Sequence, residues 1–393
     1  MRVVGVIAEY NPFHLGHAHH LAQARRLSGA DAVVVVMSSV FTQRGDAALL
    51  SPMDRARMAL SAGADAVFAL PAVWAVRDAE HFALGGVSLL AGLGCDAISF
   101  GTENTELSAL QSAARLLEQP DEAFRAAMQS QLARGLPYPA ALSAAMETVR
   151  PGCGGLLAQP NSTLAVCYLR AMLRLGLRME SVPVQRIGGY HDAELGASLP
   201  SATALRGAIL RGDWHQAASA MPGSAYAILQ DAIQQGRIHR PQALDAALLY
   251  RLRTMRETEY AALPDTSEGI EYRLHTAAAA ACTREDVLLA AKTRRYPYAR
   301  LSRLATHALL GMTDASLAAE ATPQAAMLLG FRRESKTLFS HFKERGTLPV
   351  WGRVADYDRL APWFQTEIRA YDLWALGAGL PAGMLMTQGV AVL

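Results

Sequence analysis

Two histidines, His14 and His17, stand three positions apart with Gly16 between them, directly after Asn11-Pro12 and an apolar run from Val3 to Ile7. The run has the β-branched character of a buried strand, and from Ala18 to Leu27 apolar residues recur at helical spacing. The pair therefore falls where a strand hands over to a helix. First-turn amides of a helix lack intrahelical acceptors and carry the positive end of its dipole, so such a turn favours an anion before any side chain acts. Imidazoles at His14 and His17 would add donors for phosphate. Gly16, without a Cβ, would let a flat base or a ribose approach the backbone. Residue types alone leave a second reading open, that of an ordinary capped surface turn.

The elements that would position this turn alternate along the chain. Asp31 to Met37 reads as a second buried strand, Ala64 to Leu70 as a third, Ala97 to Phe100 as a fourth and Val182 to Arg186 as a fifth. Helical patterns start at Ser51, cover Ala79 to Leu93, and cover Leu164 to Leu175. This alternation predicts the α/β class with a Rossmann-like parallel sheet, whose ligand crevice lies beyond the strands' carboxyl ends. Gln43 and Arg44, in the loop after the second strand, become candidate substrate contacts. Gly101, closing the fourth strand, suits close approach of a ligand or a plain turn equally. Asn161 reads from spacing as a helix cap. Ser201, Thr203 and Arg206 put two hydroxyls and a cation at another helix start, a second candidate for phosphate.

A hydrophobic content of 51% with 18% charged residues excludes a disordered chain, and 393 residues allow two to three domains. We expect a nucleotide-binding domain over 1–212, with a helical insertion at about 106–150, and a separate helical domain over 213–393. The four cysteines, Cys95, Cys153, Cys167 and Cys282, lack metal-site spacing and read as reduced core residues. Met1-Arg2 leads straight into the first strand and no apolar stretch reaches membrane-spanning length, so a cytoplasmic protein is expected. No metal site and no protein partner are evident. Charge is uneven: Lys292 to Arg345 holds ten Lys or Arg against four Asp or Glu, +6 where the whole chain carries +2. Lys292, Arg294 and Arg295 beside Tyr296 are the mix that suits an RNA backbone with bases free to stack; a solvated helix face is the alternative.

Taken in order, several stretches resemble one family. They are Val4 to His14, Met37-Ser38 through Gln43-Arg44-Gly45, Phe100-Gly101-Thr102-Glu103, Gln159-Pro160-Asn161, Arg186-Ile187-Gly188 through Tyr190-His191-Asp192, Ser201-Ala202-Thr203, Glu268-Gly269-Ile270-Glu271 and Lys292-Thr293-Arg294-Arg295-Tyr296. The family is the tRNA(Met) cytidine acetate ligases, of the HIGH-type nucleotidyltransferase superfamily. The resemblance implies that acetate is activated by ATP as acetyl-adenylate and that the acetyl group passes to N4 of the wobble cytidine of elongator methionine tRNA. It implies magnesium as a helper, and His14 and His17 as catalytic groups stabilising phosphate charge. It also implies ATP contacts from Ile7, Ala8, Glu9, Tyr10, Asn11, Pro12, Phe13, His14, Leu15, Gly16, His17, Ala18, His19 and His20, together with Gly101, Asn161 and Arg186. The tail residues Lys292, Arg294, Arg295 and Tyr296 become candidate tRNA contacts. One departure stands out, since Ser38-Ser39-Val40-Phe41 replaces the Ser-Gly-Asn-Phe typical of members. Two other functions compete, a nucleotidyltransferase joining AMP to a small phosphorylated metabolite and an RNA-binding module regulated by ATP.

Overall fold

The computed structural model describes residues 1–186, 201–266 and 269–393. Five strands form the parallel body of one sheet: β1 Val3–Ala8, β2 Ala32–Ser38, β3 Ala66–Leu70, β4 Ala97–Thr102 and β5 Glu180–Gln185. Their order is β5-β4-β1-β2-β3. From β1 the chain steps outward through β2 and β3, then returns to build β4 and β5 on the other side of β1. Strand order thus reverses between β1 and β4, and a crevice opens beyond their carboxyl ends. Val4, Val6 and the run Val33 to Val36 are wholly buried, as expected of strands covered on both faces. The helices Ala79–Gly92 and Pro160–Arg174 pack on each other, the first against β1 and the second against β4.

The expected helical insertion consists of the helices Leu107–Glu118, Glu122–Ala133 and Tyr138–Val149. The first packs against Pro160–Arg174 through Leu110, Ala113 and Ala114, so it belongs to the main core. The boundary expected at 212/213 needs correction. Residues 248–308 do form a separate helical cluster around Leu252, Leu274, Val287 and Leu301. Beyond it the chain returns to the sheet: β6 Ala326–Phe331 pairs antiparallel with β3, and the two-residue strands β7 Val350–Trp351 and β8 Ala391–Val392 pair parallel with β6. The alternating signal was absent because β6 carries no β-branched residue and β7 and β8 are too short to show a period.

The helical cluster docks on the loops at the carboxyl edge of the parallel strands. Helix Tyr298–Leu310 supplies Ser302 Oγ, which donates to Arg44 O at 2.6 Å, and Thr306 Oγ1, which donates to Gly45 O at 2.6 Å. His307 Nε2 lies 2.6 Å from Val76 O, and Arg284 pairs with Asp46 at 3.3 Å. Gly45 has φ +80, and a Cβ there would stand 2.7 Å from Ser302 O, so only glycine lets loop and helix meet this closely. All four cysteines are free; Cys95, Cys153 and Cys167 are buried, whereas Cys282 is exposed and is not the core residue expected. Among the described residues no helix is long and apolar enough to cross a membrane.

Candidate active site

β1 ends at Ala8, and the next residues turn the chain sharply into helix Leu15–Ser28. Tyr10 adopts φ +49, which side chains rarely do, and the Asn11-Pro12 bond is cis. Asn11 is buried and its Oδ1 accepts from Leu49 N–H at 2.9 Å, tying the turn to the chain after β2. Beneath it the buried rings of Tyr10 and Phe13 meet edge to face, 4.8 Å apart, and Tyr10 lies 4.8 Å from the His17 ring. These rings form a floor under the histidines.

The helix is capped by His14 itself, an unusual cap, and therefore starts three residues before the apolar pattern does. Gly16 N–H donates to His14 Nδ1 at 3.0 Å, and His14 N–H donates to His17 Nδ1 at 3.2 Å. The two rings stack with centroids 3.7 Å apart. A nitrogen that accepts cannot carry the proton of a neutral imidazole, so in both rings the proton sits on Nε2. Among the described residues neither Nε2 has a partner, which leaves two N–H donors from one helix terminus. Burial first, and then the Arg186 charge, depresses His14 to about 4. His17 too lies well below the ordinary imidazole value, held there by burial first and then by His14, Arg186 and His20. Both are thus neutral donors at neutral pH. Gly16 has a role other than the one expected from its type: a Cβ there would lie 2.9 Å from His14 Cε1, so the room beside it is taken by the capping ring.

The facing wall comes from β4 and helix Pro160–Arg174. The Glu103 carboxylate accepts from Ser162 N–H at 2.8 Å, Ser162 Oγ at 2.9 Å and Asn161 Nδ2, capping that helix from outside. Burial pushes the Glu103 carboxyl up, but the hydrogen bonds from Asn161 and Ser162 together hold it below the usual range. Asn161 is consequently not the cap that spacing suggested; its Oδ1 accepts from Arg186 Nη1 at 2.8 Å and holds that guanidinium at the end of β5. Among the described residues a Cβ on Gly101 would meet only the Arg186 side chain, at 3.4 Å from Cγ and 4.0 Å from Cδ, both ordinary contacts.

The third side carries Glu9, Gln43, Arg44 and Arg206. Glu9 Oε1 accepts from Gln43 N–H at 2.6 Å, and Gln43 Nε2 donates to Arg77 O at 2.8 Å. Desolvation raises the Glu9 carboxyl, opposed by the Gln43 N–H and by Arg44, Arg206 and Arg55. Arg206 Nη1 donates to Asn11 O at 2.7 Å and its other arm to Thr203 Oγ1 at 3.2 Å, bringing the second helix start to the histidine turn. Ser201 caps its helix through Ala204 N–H. Arg44 is exposed, and no described residue bonds its guanidinium.

Sequence reasoning missed the residue that holds these loops together. Arg55 is wholly buried and donates to Leu50 O at 3.1 Å, Glu9 O at 2.8 Å, Ser38 O at 2.9 Å and Ser39 O. Burial lowers its guanidinium to about 10 against the pull of Tyr371, Glu9 and Asp54. The departing residues Ser39 and Val40 are buried behind this staple and do not line the crevice. Of the other residues in the Ile7 to His20 stretch, Ile7, Tyr10, Pro12 and Phe13 turn their side chains into the protein, and Ala8 and Ala18 are half-buried. Leu15 is exposed, His19 is half-buried, and His20 Nε2 lies 3.1 Å from Ser99 Oγ, joining helix to β4. Residues Ile187 to Asp192 and Glu268 lie outside the described residues.

The basic stretch does not form one surface. Arg332 pairs with Glu334, and Arg345 pairs with Asp96 at 3.0 Å, just before β4; this group lies at the amino edge of the parallel strands, away from the histidines. Lys292, Arg294 and Arg295 are exposed on the helical cluster. Tyr296 is buried within that cluster, its backbone N–H bonded to Thr293 Oγ1 at 3.0 Å, so its ring is not offered for stacking as expected. Among the described residues no group of three His, Cys, Asp or Glu could hold a metal.

A sequence model of the HIGH Nucleotidyl Transferase family matches residues 1–382. A tRNA(Met) cytidine acetate ligase of Geobacillus is 36% identical over 94% of this chain and 93% of its own length. The enzyme of that name from Acetivibrio thermocellus is 32% identical over the whole of both chains. The chain belongs to the tRNA(Met) cytidine acetate ligase family. Its fold agrees: the structure of Thermotoga maritima TmcAL bound with alpha-thio ATP superposes with a TM-score of 0.91 over all of both chains, at 26% identity. The Rossmann-like sheet with a largely helical continuation is therefore a property shared with a solved relative that holds an ATP analogue.

Proposed function

We propose that this chain activates acetate with ATP at the His14–His17 turn and acetylates N4 of the wobble cytidine of elongator methionine tRNA. In the first step an acetate oxygen bonds to the α-phosphorus as the bond to the bridging oxygen breaks, giving acetyl-adenylate and pyrophosphate. In the second, cytidine N4 attacks the acetyl carbon, loses a proton, and AMP leaves. Negative charge builds on the phosphates during the first step, and donors already oriented toward it cost no reorganisation. The observation that carries this reading is the reciprocal cap, which among the described residues leaves the Nε2–H groups of His14 and His17 without a partner beside the Arg186 charge. Arg206, held on Asn11 O, adds a second cation beside the turn. Magnesium would arrive with the phosphates of ATP, the usual arrangement for an ion bound by few protein ligands. The exposed Lys292, Arg294 and Arg295 are the proposed contacts to the tRNA backbone, and a cytoplasmic location follows from such a substrate.

The test is acetate-dependent exchange of labelled pyrophosphate into ATP, first without RNA, then with methionine tRNA followed by mass analysis of its nucleosides. Exchange with an acetylated cytidine is the expected result. Exchange without acetylation would call for another acceptor, and no exchange with any acid would leave an RNA-binding module.

A further inference from the structure

The helix that brings Arg206 to the histidine turn, Ala202–Arg211, ends at Gly212, where φ +77 reverses the chain and sends it into a second helix, Trp214–Ala220. This reversal leaves Trp214 43% exposed; the other four tryptophans are buried or half-buried. A large indole in water forgoes the burial that usually retains it. Trp214 lines an open groove of about 560 Å³ together with Leu210, Arg211, Ile238, Arg240 and Gln242. Leu210 also lines a smaller cavity, about 120 Å³, whose other walls include Asp46 and Arg206. Leu210 therefore borders both the groove and a cavity that reaches residues beside the proposed reaction site. Along the helix the five steps from Arg206 to Arg211 rise about 7.5 Å.

The groove's walls have the composition of a nucleotide-stacking surface. Arg211 and Arg240 are exposed, and no described residue bonds either guanidinium. The nearest acid in sequence, Asp213, spends its Oδ1 on Gln216 N–H as a helix cap. Gln242 offers an amide that can meet a base edge. An apolar plate between two unengaged cations fits an aromatic ring that carries phosphates on either side, and fits an apolar protein face poorly.

We propose that this groove stacks an unpaired base of the RNA substrate on the Trp214 indole, with Arg211 and Arg240 on the flanking phosphates. The inference rests on the RNA substrate proposed above, and its test reads RNA binding alone. Unmodified elongator methionine tRNA is titrated into the full-length protein while tryptophan emission is followed, at several salt concentrations. Quenching is expected for the wild type and should be lost in Trp214→Phe, which keeps an aromatic plate and most of the affinity. Trp214→Ala should raise Kd about tenfold, by an amount that does not change with salt, because stacking releases no counterions. Arg211→Ala with Arg240→Ala should instead flatten the salt dependence. Unchanged tRNA affinity in Trp214→Ala, with its circular dichroism intact, would overturn the proposal. So would self-association of the wild type that is lost in that variant with tRNA affinity unaltered, which would assign the face to a second copy. Missing pyrophosphate exchange in the wild type would remove acetate activation and leave the quenching result standing.

Discussion

Replacing Gly16 with alanine separates the stability of the histidine turn from its chemistry. The new Cβ would stand 2.9 Å from His14 Cε1 and 3.1 Å from His14 Nδ1, closer than carbon contacts normally come. The backbone at Gly16 is helical and the ring is the freer partner, so the imidazole moves. Moving it breaks the Gly16 N–H to Nδ1 bond, a cap whose loss costs about 0.5–2 kcal/mol. Alanine in place of glycine in a helix returns up to about 1 kcal/mol. The two terms nearly cancel, and equilibrium unfolding should shift by about 1 kcal/mol or less. Activity has no such compensation. A ring displaced by about an ångström no longer aims Nε2–H at the developing charge, and misplacement of that size costs on the order of a hundredfold. The expected result is a near-native denaturation midpoint with pyrophosphate exchange reduced about a hundredfold. Wild-type exchange in Gly16→Ala would show that the position of His14 does not depend on the missing Cβ. Gross destabilisation would show instead that the backbone, and not the ring, absorbs the clash.

Other perturbations follow from the same geometry. Asn161→Ala frees Arg186 from its only described side-chain acceptor, and steady-state exchange should show KM for ATP raised about tenfold, the loss of one charge-assisted hydrogen bond; an unchanged KM would remove Asn161 as the residue positioning Arg186. Arg294→Ala with Arg295→Ala should lower the slope of log Kd for tRNA against log salt by about 1 per residue, read by filter binding. In the free protein, NMR titration of the His14 C2 proton should give a midpoint near 4, where an unperturbed imidazole would show about 6.5. Glu367 is wholly buried, accepts from Ala72 N–H, and is raised by burial to about 7 from 4.5. Its folded pKa lies above the unfolded one, so its neutral form is favoured and stability is lost as pH climbs from about 4.5 through 7. Glu367→Gln should therefore match wild type at about pH 4 and exceed it at pH 8 by at most about 3 kcal/mol in urea denaturation.

The parallel half of the sheet could be read from the chain because β1 and β2 are dense in valine and helical patterns alternate with the short apolar runs that follow. β6 could not, since Ala326 to Phe331 looks like any apolar helical segment and its partner, β3, lies some 260 residues earlier. The histidine turn was legible as a site but not as a device. Caps are normally short oxygen-bearing residues, and nothing in the letters says that an imidazole takes that place, nor that Gly16 makes room for it. Arg55 had one faint signal. It stands three and four positions before the buried Met58 and Ala59, which puts it on the same inward face of its helix. Its acceptors are backbone carbonyls, which no residue type reveals. Glu103 belonged to a stretch quoted for resemblance, yet its task, capping a helix begun 57 residues later, depends on β4 and Pro160–Arg174 meeting in space.

The protonation state of the two imidazoles bears on how such a turn would discriminate between ground and transition states. Imidazolium ions would bind the phosphates of ATP tightly from the outset, and binding shared equally by ground and transition state does not raise kcat. Neutral Nε2–H groups gain most where charge increases, which is where an oriented dipole is useful. Fixed positive charge comes from Arg186, steadied by Asn161, and from Arg206, steadied by Asn11. Arg186 is also a named cause of the low His14 value, after burial. Phosphate placed between Arg186 and His14 would offset that repulsion and favour the imidazolium. ATP binding and proton uptake by His14 are then linked in both directions, so the midpoint of His14 must rise when ATP binds, and ATP must bind more tightly as pH approaches that midpoint.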